Sequence, residues 1–114
     1  MRVEIVERKP HNRGEIFVFD VAGRTVEVLF LHHAVGRILK WGITFEMVGA
    51  TLLFPDEVLI GHNKRYIAHK IYGDHIVRAI YEYEGKLPVL LTVYFPYSKR
   101  YYEGGLKFED KILK

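Results

Sequence analysis

The sequence predicts an α+β fold: an antiparallel β-meander with two helices packed on one face, plus N-terminal strands. Three observations carry that prediction. Short apolar blocks rich in Val, Ile, Phe and Tyr occupy residues 3–30 and 58–95. Between them the apolar spacing changes to a helical period, and Gly-, Asn- or Pro-containing turns separate the blocks.

Val3 to Arg8 alternates loosely, Glu15 to Asp20 is apolar on both faces through Ile16–Phe19, and Arg24 to Phe30 places Val26, Val28 and Phe30 on one side. These are three strands, with a hairpin turn at Asp20–Gly23. Leu31, Ala34, Val35 and Ile38 then form a helical stripe, and Gly42 stands where a helix C-terminus favours a left-handed residue, so the first helix runs from about Leu31 to Trp41. Thr44 is a good N-cap for a second helix carrying Val48, Leu52 and Leu53, which Pro55 stops. Four further strands follow, Val58–Gly61, Arg65–Tyr72, His75–Tyr83 and Leu87–Phe95, with turns at His62-Asn63, Gly73-Asp74 and Glu84-Gly85-Lys86. The charged tail from Ser98 to Lys114 has Leu106, Phe108, Ile112 and Leu113 too sparse to fix a period.

The 114 residues are one domain's length, read as a single domain over 1–114. With 49% hydrophobic and 27% charged residues the chain is not a disordered tail. No apolar run approaches the ~20 residues of a membrane span, and Met1–Glu4 does not open a secretion signal. The expectation is a cytoplasmic protein with no membrane partner. The absence of cysteine excludes disulfides, thiolate zinc sites and cysteine nucleophiles. Net charge is +3, divided as −1 over residues 1–57 (seven Lys/Arg, eight Asp/Glu) and +4 over residues 58–114 (ten and six), so an anionic partner should meet the second half.

A two-residue turn at Gly73-Asp74 pairs Tyr72 with His75 and therefore His69 with Arg78, Ile67 with Ile80 and Arg65 with Glu82. If Glu84-Gly85-Lys86 is the next loop, Thr92 joins His69 and Arg78 in one row. The opposite face, with Val77, Ala79, Tyr81, Leu87, Val89, Leu91 and Val93, is the one to bury under the helices. On the first helix His33, Arg37 and Lys40 share a face away from the apolar stripe. A histidine and a cation at that spacing can hold a phosphodiester and move a proton. The bland readings are a solvated helix face and a satisfied cross-strand pair. Tyr94, Tyr97, Tyr101 and Tyr102 interleave with Lys99 and Arg100 as on a single-stranded nucleic-acid platform. The histidine spacings match no zinc site, and the phosphate-loop, dinucleotide-turn and nucleophile-elbow signatures are lacking, so no metal or cofactor is expected.

His33-Ala34, Arg37, Trp41-Gly42-Ile43-Thr44, Val48, Pro55, Arg78-Ala79-Ile80-Tyr81, Leu91-Thr92-Val93-Tyr94 and Lys99-Arg100-Tyr101 together resemble a small prokaryotic family of unknown function that is similar to the BrnT and RelE/ParE toxins. The resemblance covers about residues 32–101 and leaves the first thirty residues outside. It implies helices on one antiparallel sheet, metal-independent RNA cleavage, an RNA or ribosome target and a protein antitoxin, and it matches His33, Arg37, Arg78, Thr92 and Arg100. A second copy of the chain is a further candidate partner.

The candidate catalytic set is His33, His69, Arg37, Arg78 and Thr92, and the candidate RNA-binding set is Lys40, Arg65, Tyr94, Lys99, Arg100 and Tyr101. The leading expectation is a toxin-type ribonuclease in which a histidine takes the 2′-hydroxyl proton while arginines stabilise the phosphorane. The alternative is a non-catalytic protein- or RNA-binding module using the same basic, tyrosine-rich face.

Overall fold

The structure is a computed structural model and describes residues 2–98. Its elements are β1 (Val3–His11), β2 (Gly14–Val21), β3 (Arg24–Leu31), α1 (His32–Trp41), α2 (Phe45–Leu53), β4 (Glu57–Ile60), β5 (Tyr66–Tyr72), β6 (His75–Glu84) and β7 (Leu87–Tyr94), with a 3₁₀ turn at His62–Lys64. The local chemistry sets the boundaries. Val21 pairs with Arg24 across Ala22-Gly23, both with positive φ, the pattern of a type I′ hairpin turn. Gly42 ends α1 at φ 68° and returns its N–H to Leu39 O. Thr44 Oγ1 accepts from the Met47 N–H at 3.0 Å and opens α2.

The fold is mixed α+β, two helices and one seven-stranded sheet in the order β1-β2-β3-β7-β6-β5-β4. Every pairing is antiparallel except β3 with β7, which run parallel through Leu29↔Val89 and Phe30↔Leu90. The N-terminal strands are therefore continuous with the later ones. That short parallel ladder joins the edge of the N-terminal hairpins to β7.

One sheet face packs against the helices. Phe17, Phe19, Val28, Phe30, Ala79, Leu90 and Val93 meet Ala34 and Ile38 of α1 and Val48 of α2 in one buried cluster. The Phe17 ring lies tilted against those of Phe30 and Phe45, with centroids 4.3 Å and 4.8 Å away. α2 touches β1 as well as β5 and β6, strands near opposite ends of the order, so the sheet curls around it. Gly49 makes the approach of α2 feasible, because a Cβ there would collide with the Phe19 ring.

The register of β7 corrects the expected faces. Glu84 pairs with Leu87, so the β6–β7 turn is the two residues Gly85-Lys86, and a bulge interrupts the ladder between Ile80↔Thr92 and Tyr81↔Leu90. Before the bulge the one-residue difference turns Leu87 and Val89 to the second face and brings Leu90 under the helices. Leu91, expected in the core, is the half-buried bulge residue. Beyond the bulge the alternation is restored, and Val93 packs in the core.

Candidate functional site

On the second face, the pairings Glu57↔His69, His69↔Arg78 and Arg78↔Tyr94 line up one residue from each of β4, β5, β6 and β7. His69 is 2% exposed and sits between two charged groups. Arg78 Nη1 lies 3.1 Å from its Nε2, and Glu57 Oε1 lies 2.8 Å from its Nδ1. A guanidinium only donates, so Nε2 accepts, and the ring proton sits on Nδ1 and is donated to Glu57. Both ring nitrogens are engaged in this row. His69 thus joins the Glu57 carboxylate to the Arg78 guanidinium.

Thr92 does not complete the row. It pairs with Ile80, two residues from Arg78 along β6, because the two-residue turn and the bulge each move β7 by one position. Its Oγ1 is buried and has no hydrogen-bond partner among the described residues. Tyr94 takes the place opposite Arg78 and is 37% exposed. Arg65 lies 3.6 Å from Glu82, the pairing expected from the β5–β6 turn.

His33, Arg37 and Lys40 lie on α1, with His33 and Lys40 exposed and Arg37 half-buried. Lys40 Nζ stands over the Trp41 ring at 5.5 Å, and Trp41 Nε1–H donates to Val93 O at 3.0 Å, fastening the end of α1 to β7. Because α1 packs on the first face while His69 and Arg78 alternate to the second, the sheet separates the two histidine–arginine pairs. The expected catalytic set is therefore not assembled around one phosphate. Lys99, Arg100 and Tyr101 lie outside the described residues, as does the tail that follows.

Two features escaped the sequence reading. Glu57 is legible once the β4–β5 hairpin is centred on Asn63, which sets it opposite His69. The second is a cavity of about 550 Å³ at that hairpin, lined by Ile67 and Ile80 and by His62, Asn63 and Arg65. Elsewhere, burial pushes the hydroxyls of Tyr72 and Tyr81 above the usual phenol range. Among the described residues no three His, Asp or Glu side chains converge on a metal-sized site, and no helix is long and apolar enough to cross a membrane. Comparison with family models, curated proteins and solved structures finds no match.

Proposed function

We propose that this chain is a binding module for single-stranded RNA, a cytoplasmic relative in kind of the BrnT- and RelE-like toxins that its sequence resembles. The observation that carries the reading is the Glu57–His69–Arg78 row. A buried imidazole tethers the Arg78 guanidinium and fixes its orientation, so a phosphate contact there costs little side-chain ordering. Arg65 and Tyr94 share that face and supply a second cation and a ring for stacking. Through the resemblance, a ribosome or a protein antitoxin would compete for the same surface. The test is fluorescence anisotropy with labelled single-stranded RNA across a salt series. Arg78→Ala and Arg65→Ala should each weaken binding and lower the salt slope by about one, while Glu27→Ala, in the acidic half, leaves affinity unchanged. No binding at low salt, or equal losses from all three, sinks the proposal.

A second reading, metal-independent ribonuclease activity, is favoured by one specific observation: exposed His33 stands one helical turn before Arg37 on α1. In that reading His33 accepts the 2′-hydroxyl proton, the 2′-oxygen attacks the adjacent phosphorus, the bond from phosphorus to the 5′-oxygen breaks and that oxygen takes a proton from water, and Arg37 stabilises the charge on phosphorus. The products would carry a 2′,3′-cyclic phosphate and a free 5′-hydroxyl, and cleavage would persist in EDTA. His33→Ala should abolish cleavage without lowering the melting temperature. RNA that stays intact with and without ribosomes removes this reading and leaves the binding module.

A further inference from the structure

The β4–β5 hairpin closes tightly, with Gly61 N–H on Arg65 O at 2.8 Å and Arg65 N–H on His62 O at 3.2 Å. Asn63 and Lys64 between them both have φ 59°, a left-handed conformation that asparagine tolerates and lysine seldom adopts. The turn thus holds a lysine where glycine would be less strained, and it lies between two further groups that can carry positive charge, His62 and Arg65. Behind it the cavity of about 550 Å³ falls within the range of roughly 300–1,000 Å³ usual for small-ligand sites. Its floor is apolar: Ile67 and Ile80 pair directly across β5 and β6 and project to the second face. The nearby acid, Glu82, is matched by Arg65.

An apolar floor under a cationic rim suits an anion that carries a flat, weakly polar group. Inorganic phosphate leaves the isoleucines uncovered, and an acidic peptide side chain brings charge without a group to cover them. We infer that this cavity takes one base of a bound RNA strand, with the adjoining phosphate on Lys64 of the turn outside it and on Arg65, whose guanidinium it would share with Glu82. The inference rests on the RNA-binding reading and deepens it. The His69–Arg78 row lies two residues further along both strands, about 7 Å away, so a strand seated here can run on toward Arg78.

Gly61 supplies the test. Its backbone is extended at φ −98°, ψ −165°, and a Cβ there would stand 3.6 Å from Ile67 Cδ1, an ordinary contact. Gly61→Leu should therefore fill the cavity without straining the hairpin. Fluorescein-labelled oligouridylate of about ten nucleotides and an abasic ribose-phosphate strand of the same length are titrated by anisotropy in about 50 mM salt. The parent protein should bind oligouridylate roughly tenfold more tightly than the abasic strand. Gly61→Leu and Ile80→Ser, both checked by thermal melting, should lower that preference several-fold, to what stacking on Tyr94 supplies, and leave abasic binding unchanged. Equal binding of the two probes by the parent, or a preference undiminished by Gly61→Leu in folded protein, overturns the base site while the RNA reading stands. Failure of both probes to bind overturns the RNA reading and the base site with it.

Discussion

Arg78 Nη1 donates to His69 Nε2 at 3.1 Å, and that bond decides where the imidazole proton resides. With Nε2 accepting, the proton is on Nδ1 and faces Glu57 Oε1 at 2.8 Å. The ¹⁵N shifts of the His69 ring at neutral pH should report the Nδ1–H tautomer. Arg78→Ala removes the group that selects it and should let the two tautomers mix. A parent spectrum of the Nε2–H tautomer would mean that the row is wired differently and that Arg78 is not held by His69.

The bulge in β7 makes two adjacent leucines unequal. Leu90 is fully buried in the core beside Phe30, whereas Leu91 is half-buried where the ladder opens. Leu90→Asp would place an uncompensated carboxylate among apolar side chains and should cost several kcal/mol, enough to unfold the chain. Leu91→Asp should cost less, about 1–2 kcal/mol, because its carboxylate can turn to water. Circular dichroism melts of the two variants check this. The opposite order would restore the register with a three-residue β6–β7 loop.

That contrast also marks how far the sequence could be read. The His69–Arg78 pairing is legible because Gly73-Asp74 admits one short turn and Tyr72 and His75 flank it directly. The limits of α1 and α2 are legible through Gly42 and Thr44, whose caps depend on residue type. β7 is different. Glu84-Gly85-Lys86 accommodates a two- or a three-residue loop, and the bulge at Leu91 leaves no mark in an unbroken Val-Leu-Leu run. Alternation also says which side chains share a face and nothing about which strand lies alongside, so the parallel β3–β7 pairing is invisible to it. The same ambiguity put Thr92 beside Arg78 and left Tyr94, its cross-strand neighbour, among the binding residues alone.

Gly14 offers a test of the packing at the head of β2. A Cβ there would stand 2.0 Å from Phe30 O and 2.8 Å from Leu31 Cα, both backbone atoms of the paired strand. Neither can swing aside as a side chain would. Gly14→Ala should force β2 and β3 apart where the chain enters α1 and cost about 2–3 kcal/mol. Gly36→Ala has nothing within 4 Å of the added methyl and should stabilise α1 slightly. Urea midpoints for the two variants should move in opposite directions. A Gly14→Ala protein as stable as its parent would mean that β2 and β3 approach less closely than described.

Arg8 hydrogen-bonds Glu15 through both guanidinium nitrogens that face it, and its Cζ also stands 4.8 Å from the Phe17 centroid and 4.9 Å from that of Phe45. The hydrogen bond from Arg8 holds the Glu15 carboxyl below its ordinary value of 4.5, against an opposing effect of desolvation. A depressed native value means that the folded state binds this proton less readily than the unfolded state does. The pair's stabilisation is therefore fully present above about pH 4.5 and disappears as the pH falls through the lower native value. Since Arg8 is 47% exposed and water screens the pair, the contribution is about 0.5–1 kcal/mol. Glu15→Gln should lower the urea midpoint at pH 7, and that deficit should shrink as the pH falls below about 4.5, where the unfolded carboxyl takes up its proton. Arg8→Ala should cost more at pH 7 and keep a deficit in acid, because it also uncovers the Phe17 and Phe45 rings, a contact that does not depend on the carboxylate. Equal midpoints for Glu15→Gln and parent at pH 7 would show that the ion pair contributes nothing. A Glu15→Gln deficit that does not shrink at all as the pH falls below about 4.5 would mean that Glu15 acts through packing and not through its charge.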